Sequence, residues 1–360
     1  MSMLKVLHTA DLHLGARFRG LQPEKAVQKR KKLELLLDSL VDYGRECDLV
    51  LLAGDLFDQP QAEGEIVRLL GRALERLEVP VFIAPGNHDY ICSGSPYTHQ
   101  LWPENVHIFK RDTLESVVLP QFDCRIWGAG YQSMDCPGLL EGFHVRGEEA
   151  IQLMVLHGDP LGLDSPYCPV TRRQVEGSGL SYLALGHIHK AGQMQLGNTL
   201  ALWPGCPMGH GFDETGPKGF WITEITEEKA VPVFYPLHLG SYEELNVEVG
   251  ENPIQSVLEA LPADAKDNVY RIRLRGQCEN PNLSALSKEL ENRVFHFELL
   301  DETELPWDLW KTAGEDSLEG IFFRMLQESA QEAGEGEREI FTLAAKLSRR
   351  ILEGQEVELP

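Results

Sequence analysis

The chain is predicted to form a layered α/β fold, two mixed sheets packed face to face with helices outside, followed by a small α+β domain and a C-terminal helix pair. Three observations predict it. Apolar strand-like runs alternate with helical patterns early in the chain, strands without helices follow between 199 and 237, and beyond 240 the texture becomes strand, helix, strand, helix, strand.

In order, the strand-like runs fall at 3–8 ("MLKVLH"), 48–53 ("DLVLLA"), 79–84 ("VPVFIA"), 122–127 ("FDCRIW"), 151–156 ("IQLMVL") and 181–186 ("SYLALG"). Their β-branched and aromatic makeup suits buried strands. Helical patterns fill 24–43 and 62–78, the second with Ile66, Leu69, Leu70, Leu74 and Leu77 at helical spacing. Strands at 199–203, 218–225 and 231–237 complete a first domain of residues 1–240. Residues 241–300 are expected to form the small α+β domain and 301–316 a polar linker. In the final stretch, 317–360, one helix (317–331) lines up Leu318, Ile321, Phe322, Met325 and Leu326, and a second (337–353) lines up Ile340, Ala344, Leu347 and Ile351.

With 360 residues the chain can bury a large core and form more than one domain. Its net charge of −23 is spread as −9 over 1–240, −5 over 241–300 and −9 over 301–360. So acidic a body is a poor general polyanion binder, because sequence-independent DNA affinity comes from Lys and Arg neutralising phosphates. The cluster "KRKK" (29–32) reads as a solvated helix face. Seven scattered cysteines without a CxxC pair indicate buried reduced thiols rather than a disulfide framework or zinc knuckle. No apolar run is long enough to span a bilayer, and the first residues carry no signal-peptide pattern, so a cytoplasmic protein is expected.

The chemistry lies where strands end. "APGNHDY" (84–90) leaves a strand through Pro85 and Gly86 and sets Asn87, His88 and Asp89 side by side. Alone, such residues also close ordinary turns. But "VLHTADLHLG" ends on Asp11 and His13, "LVLLAGDLFD" on Asp55, "LMVLHGD" on His157 and "YLALGHIHK" on His187 and His189. In an extended segment, residues two apart point to the same side. Loops at strand ends let a rigid sheet aim several groups at one point. Asp11, His13, Asp55, Asn87, His157, His187 and His189 are too many donors for one tetrahedral site and suit two ions sharing a carboxylate. Imidazole, carboxylate and amide without thiolate favour Mn²⁺, Fe or Zn²⁺. Two such ions can clamp a phosphate and activate water for in-line attack.

The ordered series D-x-H, G-D, G-N-H-D, H-G and G-H-x-H, dense over residues 4–190, resembles the calcineurin-like metallophosphoesterases. The resemblance implies an α-β-β-α sandwich with two divalent ions, Mn²⁺ foremost and Mg²⁺, Fe or Zn²⁺ as alternatives. It implies that Asp11, His13, Asp55 and His189 hold one ion. Asp55, Asn87, His157 and His187 would hold the other, with Asp55 bridging. His88 would face the scissile phosphate as acid or charge stabiliser, with Asp89 orienting it.

"GDLFDQP" and "GNHD" differ from the GDxVDRG and GNHE of protein phosphatases and are similar to the SbcD-type DNA repair nucleases. The segment "PGCPMGHGFDETGPKGF" (204–220) is similar to the YhaO-like branch of that group. That likeness implies a DNA exo/endonuclease, a DNA-capping role for 241–300, and docking of the helix pair on an SbcC-type coiled-coil ATPase, with docking back on the chain's own domains as a terminal hairpin the alternative. Family members also dimerise through helices beside the site, which makes 91–102 and the 24–43 helix candidates for a homodimer contact. Where some members place a second histidine after "GDLF", this chain has Asp58, readable as a turn residue or a support behind the donors. Arg17, Arg19 and Lys190 are candidate phosphate contacts, with a plain solvated loop the alternative. The alternatives are a phosphodiesterase or phosphatase acting on a small nucleotide, and a scaffold that keeps the fold without catalysis.

Overall fold

Strands at 49–52, 81–83, 151–157 and 182–186 are buried along their whole length. In the computed structural model, residues 3–18, 21–162, 164–250, 252–278, 280–304 and 309–354 are described. The chain runs β1 (Leu4–Thr9), α1 (Pro23–Gly44), β2 (Leu49–Leu52), α2 (Gly64–Leu77), β3 (Val81–Ile83), the single turn α3 (Pro96–His99) and β4 (Val106–Ile108). It continues through β5 (Glu115–Leu119), β6 (Cys124–Gly128), β7 (Ile151–His157), α4 (Arg172–Gly177), β8 (Tyr182–Gly186), β9 (Gly192–Leu196), β10 (Thr199–Trp203), β11 (Gly219–Ile225) and β12 (Ala230–Pro236).

Two six-stranded sheets result, ordered β12-β11-β1-β2-β3-β4 and β5-β6-β7-β8-β10-β9. β1 to β4 are parallel, as are β6, β7, β8 and β10. Parallel neighbours need crossovers, and α1 and α2 supply them between β1, β2 and β3. The inner faces share one core in which Val6, Leu51 and Phe82 meet Ile126, Leu153, Val155 and Leu202. Each such buried side chain contributes about 1.5–3 kcal/mol relative to exposure. Leu36, Leu40, Leu70 and Leu74 of the helices are buried as well, and Leu140, Leu156, Val175 and Leu183 form a separate core cluster. The expected layered α/β sandwich is therefore present. Its parallel strands deliver their carboxyl ends, where α/β sheets carry their sites.

β4, β5 and β9 were not anticipated. They are short or half-exposed edge strands without a continuous apolar run to announce them. The solvated reading of 29–32 fails at Lys29. It is fully buried, donates to Gly240 O at 2.9 Å and lies 5.5 Å from the Tyr242 ring centre. Burial pushes its amine down to about 7.

Contacts divide the chain into a unit reaching Glu243 together with Asp267–Val269, and a second holding Glu244–Lys266 and the residues from Tyr270 onward. β13 (Tyr242–Glu248), β14 (Val269–Arg275) and β15 (His296–Asp301) make a three-stranded sheet, with α5 (Pro253–Ala260) and α6 (Leu283–Leu290) between them in sequence. Val247, Val257, Ile272, Leu274, Leu286 and Leu290 form its core. α7 (Leu318–Glu332) and α8 (Glu335–Leu352) follow. They pack through Phe323 and Ala345, joined by Ala313 from the preceding polar stretch. The apolar stripe read on the first of these helices mostly faces outward: Leu318 is 87% and Met325 63% exposed.

Candidate metal centre

All seven predicted donors converge at the carboxyl ends of β1, β2, β3, β7 and β8. Asp11 and His13 do so by a different route from the extended one expected. Both sit at positive φ, 52° and 42°, as do Asp55 at 51° and His187 at 93°. Left-handed backbone is costly for non-glycine residues and collects at functional sites. It persists here because the loop after β1 is laced to the loop after β2. Asp11 N donates to Gly54 O at 2.9 Å, His13 N to Asp55 O at 3.0 Å and Leu14 N to Leu56 O at 2.9 Å. Gly86 is required for a related reason, since a Cβ there would strike the Asp55 carboxylate.

The side chains fall into two groups that share Asp55. In one, His13 Nε2 faces His189 Nε2 at 3.2 Å, with Asp11 Oδ1 4.0 Å from His189 Nε2 and Asp55 Oδ2 3.9 Å from His13 Nε2. In the other, Asn87 Oδ1 lies 2.8 Å from His157 Nε2 and 3.3 Å from His187 Nδ1, with Asp55 Oδ2 3.3 Å from His157 Nε2. Asp11 Oδ1 and Oδ2 also accept from His187 N, both at 3.1 Å, so the groups are tied through backbone as well.

Three of the four histidines are anchored through Nδ1. His157 Nδ1 lies 2.9 Å from Ala53 O, His189 Nδ1 2.5 Å from Glu214 Oε1 and His13 Nδ1 3.5 Å from Asp58 Oδ1. An oxygen partner on Nδ1 leaves Nε2 as a lone-pair donor to a metal. Lone pairs therefore confront lone pairs across both groups, an array that fits only with cations, or protons, between them. His8 shows the contrast: Tyr182 Oη and Leu185 O each lie 3.0 Å from its two nitrogens, and burial pushes it down to about 3, as suits a core histidine.

Burial opposes charge on His157, yet the Asp55 carboxylate outweighs it and raises the imidazole to about 10. Burial likewise works against ionised Asp55, and the surrounding histidines hold it well below the usual carboxylate range. Burial alone dominates at His187, lowered to about 4. The donor chemistry thus fits hard or borderline divalent ions: Asp11, His13, Asp55 and His189 could hold one, and Asp55, Asn87, His157 and His187 another.

His88 is exposed beside this centre, its ring 4.7 Å from that of His13 and its amide donating to Asp55 Oδ1 at 2.8 Å. Asp89 departs from its expected part. Its buried carboxylate accepts from the amides of Gly86, Leu56, Asp55 and Phe57 at 2.7, 2.7, 3.2 and 3.3 Å and from Tyr97 Oη at 2.5 Å. It holds two loops together, while the nearest partner of the His88 ring is Asp58 O at 3.3 Å from Nδ1. The family resemblance implied that Asp89 orients His88, whereas the two side chains reach different partners.

Among the candidate cations, Arg17 is exposed on a cleft of ≈ 370 Å³ lined also by Ala16, Phe18, Asp58, Gln59 and His210. Lys190 is exposed and not on that lining, and Arg19 lies outside the described residues. Glu214 was missed. The only signal was its place in the 204–220 motif, and nothing in its spacing ties it to His189.

Comparison with known proteins identifies the family. The family profile "Calcineurin-like phosphoesterase" matches residues 4–191. The chain belongs to that family: it is a metallophosphoesterase. Among curated relatives, the "Uncharacterized metallophosphoesterase YhaO" of Bacillus subtilis is 30% identical over 289 residues, 76% of this chain and 69% of that protein. The SbcD component of the nuclease SbcCD from the same organism is 23% identical over 261 residues, 59% of this chain and 64% of that one. "DNA double-strand break repair protein Mre11" of Aeropyrum pernix is 41% identical over 90 residues, 24% of this chain and 21% of that one. Among the described residues, no helix is long and apolar enough to cross a membrane.

Proposed function

We propose that the chain is a two-metal DNA nuclease acting in repair, the nuclease half of an assembly with an SbcC-type coiled-coil ATPase. The observation that carries the catalytic half of this reading is Asp55 Oδ2, within 3.9 Å of His13 Nε2 and 3.3 Å of His157 Nε2, a single carboxylate between two donor sets. Divalent ions held there, Mn²⁺ foremost, would act as Lewis acids on the phosphoryl oxygens and lower the pKa of a water nucleophile. The exposed imidazole of His88 would donate a proton to the leaving oxygen, an effect of about 10²–10⁴-fold. Asp89 fixes the loops that carry Asp55 and His88, and Arg17 pairs with a phosphate beside the centre. Relatives named as a part of the nuclease SbcCD and as the double-strand break repair protein Mre11 support DNA as the substrate. The outward apolar stripe of α7, with Ile340 and Ile351 of α8 also exposed, suits docking of the ATPase.

A second reading, hydrolysis of a small nucleotide, is favoured by the net charge of −23, which disfavours binding a long polyanion. Linear single- and double-stranded DNA and mononucleotide diesters, incubated with Mn²⁺ with and without the ATPase, separate the two. DNA cleavage that His88→Ala removes supports the nuclease; intact DNA with hydrolysed nucleotides supports the second reading.

A further inference from the structure

Residues 204–220 lie beyond the part of the chain that the family profile matches, yet they grip one donor of the centre from two sides. Glu214, 8% exposed, places Oε1 2.5 Å from His189 Nδ1. Its other oxygen accepts from His210 N at 2.7 Å and Cys206 Sγ at 3.2 Å, which leaves the carboxylate little freedom to turn. The backbone of His189 is gripped as well. His189 O accepts from Cys206 N at 3.2 Å and from the buried Lys218 Nζ at 3.3 Å, and Lys218 Nζ also donates to Cys206 Sγ at 3.1 Å. Gly205, at φ +74°, permits this approach, since a Cβ there would lie 2.6 Å from His189 O.

Among the described residues, His157 of the other group has no such carboxylate behind it: its Nδ1 rests on a neutral carbonyl, Ala53 O. A carboxylate on the far nitrogen fixes the tautomer, aims the ring and makes the imidazole a stronger donor. We propose that Glu214 is a positioning residue that strengthens only the ion site containing His189, so that the 204–220 segment makes the two sites unequal. The inference rests on the two-ion reading of the centre and adds to it a residue that takes no part in holding an ion directly.

Calorimetric titration of Mn²⁺ into the metal-stripped full chain tests this without reference to activity. Wild type is expected to take up two ions. Glu214→Ala and Glu214→Gln should keep one ion at wild-type affinity and weaken the other by about 10–100-fold. Glu214→Gln preserves side-chain shape, so a folded E214Q with both affinities within twofold of wild type overturns the proposal even if E214A fails to fold. Equal weakening of both ions also overturns it, because a general structural role would act that way. A wild-type chain that binds no Mn²⁺ removes the inference together with the proposed function, whereas two ions indifferent to Glu214 remove the inference alone.

Discussion

His13 Nε2 and His189 Nε2 face each other at 3.2 Å although 176 positions separate them in the chain. Each ring has an acidic partner on its other nitrogen, Asp58 and Glu214, so the facing atoms are donors that need a cation between them. His13→Ala is expected to lose one ion and Asp55→Ala both, read by metal analysis of protein purified without chelator. Full metal content in Asp55→Ala would contradict the shared carboxylate.

His88 meets the centre through its amide and its ring edge. His88→Ala should therefore retain both ions while Mn²⁺-dependent hydrolysis falls by about 10²–10⁴-fold. If metal is lost in step with turnover, the ring is a ligand rather than an acid.

Asp89 binds four amides and Tyr97 in a site closed to solvent. Asp89→Ala strands those donors, and unsatisfied buried groups cost about 1–3 kcal/mol each. Denaturant unfolding should show a loss of at least about 3 kcal/mol, with Tyr97→Phe losing about 1 kcal/mol. Unchanged stability in Asp89→Ala would return Asp89 to a purely catalytic part.

Metal binding should be linked to protons. The metal-free fold holds the His157 proton up to about 10, and a ligand imidazole must be neutral. Binding must then expel that proton, so Mn²⁺ affinity should rise with pH between 6 and 9 by roughly tenfold per unit. Calorimetry in buffers of different ionisation enthalpy reads the proton released. A flat affinity over that window would show that His157 is not a ligand.

Lys29 gives a pH effect remote from the donors. Unfolded, it keeps its proton to about 10.5, and folded, only to about 7, because burial disfavours the charge. Between those values the unfolded state binds more protons, so this group makes stability rise with pH. The stability of Lys29→Met relative to wild type should be most favourable below pH 7 and decline toward pH 10. A difference that stays constant across the window would place Lys29 in water.

Much of this architecture was legible in the chain. β1, β2, β3, β7 and β8 are largely apolar and buried, and each leads to its donors because parallel strands send their carboxyl ends to one edge. What stayed hidden has physical causes. β5 and β9 are half-exposed edges whose pattern matches that of loops. Lys29 sits in a basic run, and nothing local reveals that Gly240 O approaches it. Glu214 serves His189 across 25 positions through a side-chain contact, and Asp89 turns from its neighbour His88 toward amides more than 30 positions away. Contacts of that kind depend on how loops settle after the strands are placed.

Anomalous diffraction from crystals of the full chain grown with Mn²⁺ tests the two-ion centre most directly. Two peaks are predicted, about 3.5–4 Å apart, with the Asp55 carboxylate between them. A single peak, or peaks remote from Asp55, would contradict it.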